Sequence, residues 1–405
     1  MRETDLTGHA LLIVENLSVP FDRRVWRECL ALRSSGMKVT AISPAGRDRD
    51  REFKAEIEGI TIYRYPVYES TGGMASYLLE YMSALIFSSI LVWWVHLRNK
   101  LDVVQICNPP DLLILCVLPL RWLGVPVIFD QHDLSPEIYE AQRGTRGIHG
   151  RVVKILRFFE RLTYRFSSVV MVVNDSCRGI ALNRGRKAPE DIFVVRNGPS
   201  QQALDRAQPS RRLRRDREFL VGYVGMMGPQ EGIDGLLRIM RRIIVDGGRT
   251  DVGLHVVGGG TVLEKMKAYA KDLGIEEYVT FAGAGSYEQV LECIATADVC
   301  VCPDPKTPLS DKCSFVKAVE YMCLGKPFVA FSLEELQVMA GESALFARPG
   351  DEVHFAELVL QLLDQDELRW RLGTSAKLRA MQYLTWERAV ESLLAAYRRA
   401  LKIDQ

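Results

Sequence analysis

Short apolar runs alternate with stretches of helical spacing along most of the chain. In the first half the runs are HALLIVEN (9–16), MKVTAISP (37–44), ITIYRYPV (60–67), DVVQICNP (102–109), VPVIFDQHD (125–133), SVVMVVND (168–175) and DIFVVRNG (191–198). Between them, Trp26, Cys29, Leu30 and Ala31 recur at helical spacing, and Gly36 supplies a stop. Helices are also predicted over Leu112–Trp122 and Val152–Phe166. The same grammar restarts at FLVGYVG (219–225) and runs through VGLHVVGGG (252–260), VTFAG (279–283) and DVCVCP (298–303). Helices are predicted there over Ile233–Val245, Thr261–Leu273, Tyr287–Ala295 and, last, Trp386–Leu401. Strands that are apolar without alternation are buried on both faces, which calls for a parallel sheet covered by helices on each side. The predicted fold class is α/β, with two doubly wound, Rossmann-like domains facing a cleft. The expected boundaries are an N-terminal domain at 1–205, a C-terminal domain at 206–385, and a closing helical segment at 386–405. Ligands of such sheets bind at the carboxyl ends of the strands.

Composition narrows this picture. The chain has 405 residues, 48% hydrophobic and 25% charged, which is globular and long enough for two cores. A net charge of +1 gives no global pull toward nucleic acid, and no nucleic-acid partner is expected. The basic cluster Arg211, Arg212, Arg214, Arg215 and Arg217 reads as an exposed linker diluted by Asp216 and Glu218. Nine cysteines without a CxxC pair point to free thiols in a reducing compartment. The N-terminus mixes charges and lacks a long apolar run, unlike a signal peptide.

One segment leaves three readings open. Tyr81–Val95 (YMSALIFSSILVWWV) is uncharged but shorter than the about 20 residues of a bilayer span. It suits a buried core helix, a helix lying in a membrane interface with Trp93 and Trp94 at headgroup depth, or, with snorkelling ends, a transmembrane span.

The stretch SFVKAVEYMCLGKPFVAFS (314–332) carries the sharpest chemistry. Phe315, Val319, Met322 and Cys323 recur at i, i+4, i+7 and i+8 and bury one helix face. Lys317 and Glu320 share the other. Ser314 is placed as N-cap. The helix start favours an anion, and Lys317 adds a full positive charge. One turn deeper, Glu320 can accept two ribose hydroxyl protons, so a nucleotide ligand follows. On spacing alone, a capped helix with a surface Lys–Glu pair fits as well.

The run Ser314, Lys317, Glu320, Tyr321, Met322, Gly325, Lys326, Pro327 resembles the C-domain signature of family 4 glycosyltransferases, which are retaining enzymes of GT-B fold. It most resembles the bacterial branch that builds capsule, exopolysaccharide and O-antigen. PFDRRVWRE (20–28), FDQHDLSPE (129–137), RNG (196–198), GYVGMMG (222–228), VVGGG (256–260) and FAG (281–283) extend the resemblance over nearly the whole chain. The resemblance implies that Glu320 binds the donor ribose and that the amides near Ser314 and Phe315, with Lys317, hold the diphosphate. It puts Gly225 and Met226 close to the donor and Asn197 and Lys312 among its neighbours. His132 would face the transferred sugar, and Asp133 and Glu137 would orient it or meet the acceptor. Asp22, Arg23 and Arg24 would lie on the acceptor side, where Arg23 or Arg24 could contact a phosphate; a charged, exposed helix start explains the two arginines equally well. The last helix would cross back onto the first domain.

Two departures stand out. Where many members carry the first Glu of a Glu-x7-Glu pair, this chain has Lys312. Where many carry Arg and Lys after the first C-domain strand, it has Gln230 and Glu231. The resemblance implies no cofactor and no metal. It implies transfer of a sugar from a nucleotide donor, by expectation a UDP-sugar, to a lipid-linked or saccharide acceptor. The location implied is the cytoplasm, with peripheral contact at the inner face of the cytoplasmic membrane through Tyr81–Val95. The competing readings are a UDP-sugar epimerase of the same fold and a catalytically silent subunit that binds a partner enzyme or membrane.

Overall fold

The computed structural model describes residues 6–46, 50–66 and 74–403. The first five residues and the end of the run at 60–67 lie outside them. The chain divides into two compact units, Met1–Val195 with Ala389–Gln405, and Arg196–Arg388.

The first unit is built on strands β1 (His9–Ile13), β2 (Lys38–Pro44), β3 (Lys54–Ile57), β4 (Ile60–Tyr65), β5 (Val103–Cys107), β6 (Val127–Gln131), β7 (Val169–Val172) and β8 (Ile192–Val194). Among the described residues they form one sheet in the order β3-β4-β2-β1-β5-β6-β7-β8, parallel except for β3. The central strands are buried along their whole length, as their unbroken apolar runs require. β3 escaped the sequence pattern because KAEI alternates exposed and half-buried positions at a sheet edge. Helices α1 (Arg23–Ser34), α2 (Met74–Arg98), α3 (Ile114–Trp122), α4 (Ser135–Arg143), α5 (Ile148–Phe166) and α6 (Asp175–Asn183) complete the unit.

In α1 the buried face is Val25, Cys29 and Leu32 together with Arg24 and Glu28. The predicted stripe was one position off, because Trp26, Leu30 and Ala31 are only half-buried. The rotation carries an i, i+4 charge pair into the interior.

Helix α2 has a core-facing side and an exposed apolar side. Ala84, Leu91, Val92 and Val95 join the core, while Met82, Ile86 and Ile90 are exposed. Trp93 and Trp94 are half-buried. Both pack against the core, and Trp94 meets Tyr63 edge-on at 4.9 Å. By length and composition, Leu79–Arg98 could cross a membrane, with mean hydropathy 1.3 and 28% of the window buried.

The second unit repeats the architecture with strands β9 (Phe219–Val224), β10 (Val252–Val257), β11 (Val279–Gly283), β12 (Val299–Cys302), β13 (Phe328–Phe331) and β14 (Leu345–Ala347). Their order is β11-β10-β9-β12-β13-β14. All pairs are parallel. Helices α7 (Gln201–Leu204), α8 (Ile233–Arg241), α9 (Leu263–Asp272), α10 (Tyr287–Thr296), α11 (Val316–Cys323), α12 (Glu334–Ala340), α13 (Glu352–Asp364) and α14 (Asp366–Tyr383) surround them. The basic segment read as a linker is instead anchored in this unit. Arg214 makes a two-pronged ion pair with Asp298 at 2.7 and 2.9 Å. The last helix, α15 (Trp386–Leu401), starts in the second unit and continues into the first. There Tyr397 donates to Gln105 on β5 at 2.7 Å. All nine cysteines are free, and every one but Cys313 is buried.

Neighbouring positions on α2 should behave oppositely. Leu91→Ala should cost about 2–5 kcal/mol by opening a cavity. Ile90→Ala should stay within about 0.5 kcal/mol. Denaturant titrations of the two variants check this; equal losses would mean that both faces of α2 are packed.

Candidate functional site

Loops at the carboxyl ends of the parallel strands gather the candidate residues, and each unit holds its own group. In the second unit the group centres on α11. The helix starts at Val316, later than expected, so Phe315 and not Ser314 occupies the cap position, with no side-chain cap bond. Phe315, Val319, Met322 and Cys323 are buried as predicted. The opposite face is buried too: Glu320 is 8% exposed and the Lys317 side chain 9%.

An ammonium so enclosed needs counter-charges. Lys317 Nζ lies 2.8 Å from Asp304 and 3.3 Å from Glu231, and donates to the Tyr223 hydroxyl at 3.3 Å. It also sits 4.9 Å above the Tyr223 ring. The surface Lys317–Glu320 pair allowed by spacing is therefore replaced by a part-buried triad with other partners. Burial opposes the charge on Lys317, and Asp304 with the other surrounding groups more than restores it, so the amine is held protonated. Glu231 is pushed toward its neutral form by burial and by Asp304, against the pull of Lys317. One oxygen of Asp304, Oδ2, is buried with no hydrogen-bond partner.

The chain after β9 closes over this triad. Gly225 has φ +148°, and a Cβ there would lie 3.0 Å from the Tyr223 hydroxyl and 3.6 Å from Lys317 Cδ. Gly258, after β10, approaches so closely that its Cβ would fall 1.7 Å from the Gly225 carbonyl oxygen. Only glycine fits either position. Met226 is 69% exposed, and its carbonyl accepts from the Tyr223 hydroxyl at 3.0 Å. Lys312 closes a short 3-10 turn, Ser310–Lys312, ahead of α11, and Asn197 is half-buried in the segment that opens this unit.

In the first unit the group centres on Asp130, at the end of β6 and fully buried. Arg24 grips it through two nitrogens at 3.2 and 2.7 Å, and His132 Nε2 lies 2.6 Å from Oδ2. Arg24 also donates to the Val195 carbonyl at 2.8 Å and pairs with Glu28 at 3.1 Å. Gln105 bridges Glu28 and Asp130 at 2.7 and 3.2 Å. The exposed-cluster explanation of Arg24 thus fails, since the side chain is an interior cation. Arg23 is exposed, as that explanation required. Asp22 caps α1, accepting from the amides of Arg24 and Val25, both at 3.1 Å.

Asn108 fixes the loop that carries His132. Its side-chain oxygen accepts the amides of His132 and Asp133 at 2.7 and 3.2 Å. Its nitrogen donates to the Asp133 carbonyl and to Asp111, at 2.8 and 3.1 Å. Glu137 is held by both terminal nitrogens of Arg184, which also pairs with buried Glu160.

These contacts set the protonation states. Burial alone would raise Asp130, but Arg24 and His132 hold its carboxyl well below the usual range. Burial works against the charged His132 ring, and Asp130 overcomes it, so the ring titrates above its ordinary value. Glu28 is pushed up to about 8 by burial and by Asp130. Asp133 is raised by burial, with His132 opposing. Cys107, Asp130 and His132 bring possible ligand atoms within 4.8 Å of one another. A cation there would have to displace the Arg24 guanidinium, so the set is better matched to an ion pair than to a metal.

Asp130, Glu28, Gln105 and Tyr397 escaped the sequence reading, as did Asp304. A charged residue inside VPVIFDQHD, on a strand otherwise apolar throughout, was the available signal for Asp130, because such a charge needs a partner.

Comparisons with known proteins complete the description. The family model "Glycosyl transferase 4-like domain" matches residues 22–198, and "Glycosyl transferases group 1" matches residues 218–365. A D-inositol 3-phosphate glycosyltransferase from Geodermatophilus obscurus is 31% identical over 68% of this chain and 62% of its own. The shared stretch spans between 40% and 68% of the length of the curated relatives it matches. A sucrose-phosphate synthase from Thermosynechococcus elongatus shares the fold at TM-score 0.76 and 17% identity, covering 98% of this chain and 100% of that one. So does an Anabaena protein, HepE, solved with UDP-glucose, at TM-score 0.69 and 16% identity, covering 95% of this chain and 98% of that one.

The raised carboxyl of Glu28 gives a pH test. A group that binds its proton more tightly when folded contributes stability below its unfolded value, near 4.5, and loses it as pH rises through the folded value, about 8. Glu28→Gln removes that titration. The melting-temperature difference, variant minus wild type, should therefore grow from about pH 5 to about pH 8 and level off above. A difference that does not change with pH would mean that Glu28 titrates normally.

Proposed function

The chain belongs to the family 4 glycosyltransferases of GT-B fold, and from that membership we propose that it moves a sugar from a nucleotide-sugar donor, a UDP-sugar, to a lipid-linked or saccharide acceptor with retention of configuration. We place this activity in bacterial surface-polysaccharide assembly, in the cytoplasm at the inner face of the cytoplasmic membrane, which α2 contacts.

The observation that carries the reading is the buried Lys317 at the start of α11, beneath the Gly225 turn and one helical turn before Glu320. In this reading the donor diphosphate sits against Lys317 and the first amides of α11, and Glu320 holds the ribose. Preorganised charge of this kind stabilises a leaving diphosphate as the glycosidic bond breaks. Lys317 supplies the cation, so no metal is required. Glu231, which stands where many relatives carry a cation, acts as a counter-ion to Lys317. The incoming diphosphate competes with Glu231 and Asp304 for the ammonium, and the raised affinity of Glu231 for a proton lessens that competition. His132, oriented by Asp130, contacts the transferred sugar, and Asp133 lies beside it. The reading assigns a front-face displacement, in which the acceptor hydroxyl attacks on the face from which the diphosphate departs and passes its proton to the leaving phosphate. The UDP-glucose held by HepE supports the donor class. An epimerase or a silent subunit would have to bind the same nucleotide without acceptor-dependent release of diphosphate.

A thermal-shift panel of UDP, GDP, ADP and TDP, with and without magnesium, tests the reading. Ligands that bind only the folded state raise its melting temperature. One nucleotide should stabilise the protein equally in both conditions, and Glu320→Ala should abolish the shift. No shift with any nucleotide would overturn the donor assignment.

A further inference from the structure

Helices α2, α3 and α5 lie on one face of the first sheet, α2 against α3 and α3 against α5. Each exposes apolar side chains on its outer surface. On α2 these are Leu79 (55% exposed), Met82, Ile86, Ile90 (59%) and Leu97 (79%). At 3.6 residues per turn they fall within an arc of roughly 80°, opposite the core-facing Leu91, Val92 and Val95. At the end of α3, Trp122 is 72% exposed and Leu123 follows it. On α5, Ile148, Ile155 and Phe158 are exposed.

Helix α5 adds charge of one sign. Arg151, Lys154, Arg161 and Arg165 are all exposed. With Ile148, Ile155 and Phe158 they occupy an arc of roughly 140°. No carboxylate shares that arc, because Glu160, the one acidic residue of α5, is buried. Arg157, on the flank, is the cation that pairs with Glu140. An apolar stripe bordered by unopposed cations matches the headgroup boundary of a negatively charged bilayer. A second copy of the chain would fit it worse, since two such faces would set cation against cation.

We propose that the outer surface of α2, α3 and α5 docks on anionic lipid. The apolar residues of α2 and Phe158 enter the acyl boundary, and the four α5 cations select negative headgroups. This rests on the reading that the protein works at a membrane, and deepens it by assigning lipid selection to α5, a helix to which the sequence pattern gave no membrane role.

Co-sedimentation of the full chain with vesicles tests it, using phosphatidylcholine alone or mixed with phosphatidylglycerol. Partition into the mixed vesicles should be at least about tenfold stronger and should weaken with added salt. Arg151→Gln, Lys154→Gln, Arg161→Gln and Arg165→Gln combined should reduce it to the phosphatidylcholine level. Ile86→Ser with Ile90→Ser and Phe158→Ser should weaken binding to both. Equal partition into the two vesicle types, no partition, or full binding by the charge variant would overturn the proposal. A dimer in solution that the apolar variant converts to monomer would assign the face to a second copy. Sedimentation needs neither donor nor acceptor, so failure here is distinct from failure of the nucleotide panel.

Discussion

A protonated amine largely sheltered from water governs the second unit. Lys317 can stay charged in its position only with carboxylates beside it, and those come from two loops at the carboxyl ends of strands: Glu231 beyond β9 and Asp304 beyond β12. The demand reaches the backbone. The Tyr223 hydroxyl crowds residue 225, whose φ of +148° favours glycine, and the carbonyl of 225 in turn leaves no room for a side chain at 258. One charge thus ties three strand ends to the start of α11. It also leaves a cation poised where an anion can take over from its protein partners.

The first unit meets the same constraint with the sign reversed. Asp130 is the buried charge, and Arg24, His132 and Gln105 surround it. Removing one partner of such a pair leaves the other stranded, at a cost of about 3–5 kcal/mol. Arg24 therefore serves the fold whatever it does for a substrate. His132 inherits a fixed ring orientation and a raised proton affinity from the same network, while Asn108 fixes its backbone.

The doubly wound sheets were legible because strands buried on both faces advertise themselves as unbroken apolar runs; the edge strand KAEI, half in water, did not. Phe315, Val319, Met322 and Cys323 were legible by period. The partners of Lys317 were not, because Glu231 and Asp304 lie 86 and 13 residues from it in the chain, and only the sheet order brings β9 beside β12. Glu231 stood out only as a departure from the family pattern, not as a counter-ion. The α2 segment misled for another reason. Composition cannot separate a core face from an exposed one when both are apolar.

The diphosphate contact proposed for Lys317 is open to a direct test. Titration calorimetry of the nucleoside diphosphate and of its parent nucleoside, on wild type and Lys317→Gln, addresses it directly. The variant should lose about 100-fold or more in affinity for the diphosphate, as expected for a charge-assisted contact in a sheltered site, while the weak binding of the nucleoside is unchanged. Equal losses for both ligands, or none for the diphosphate, would contradict it.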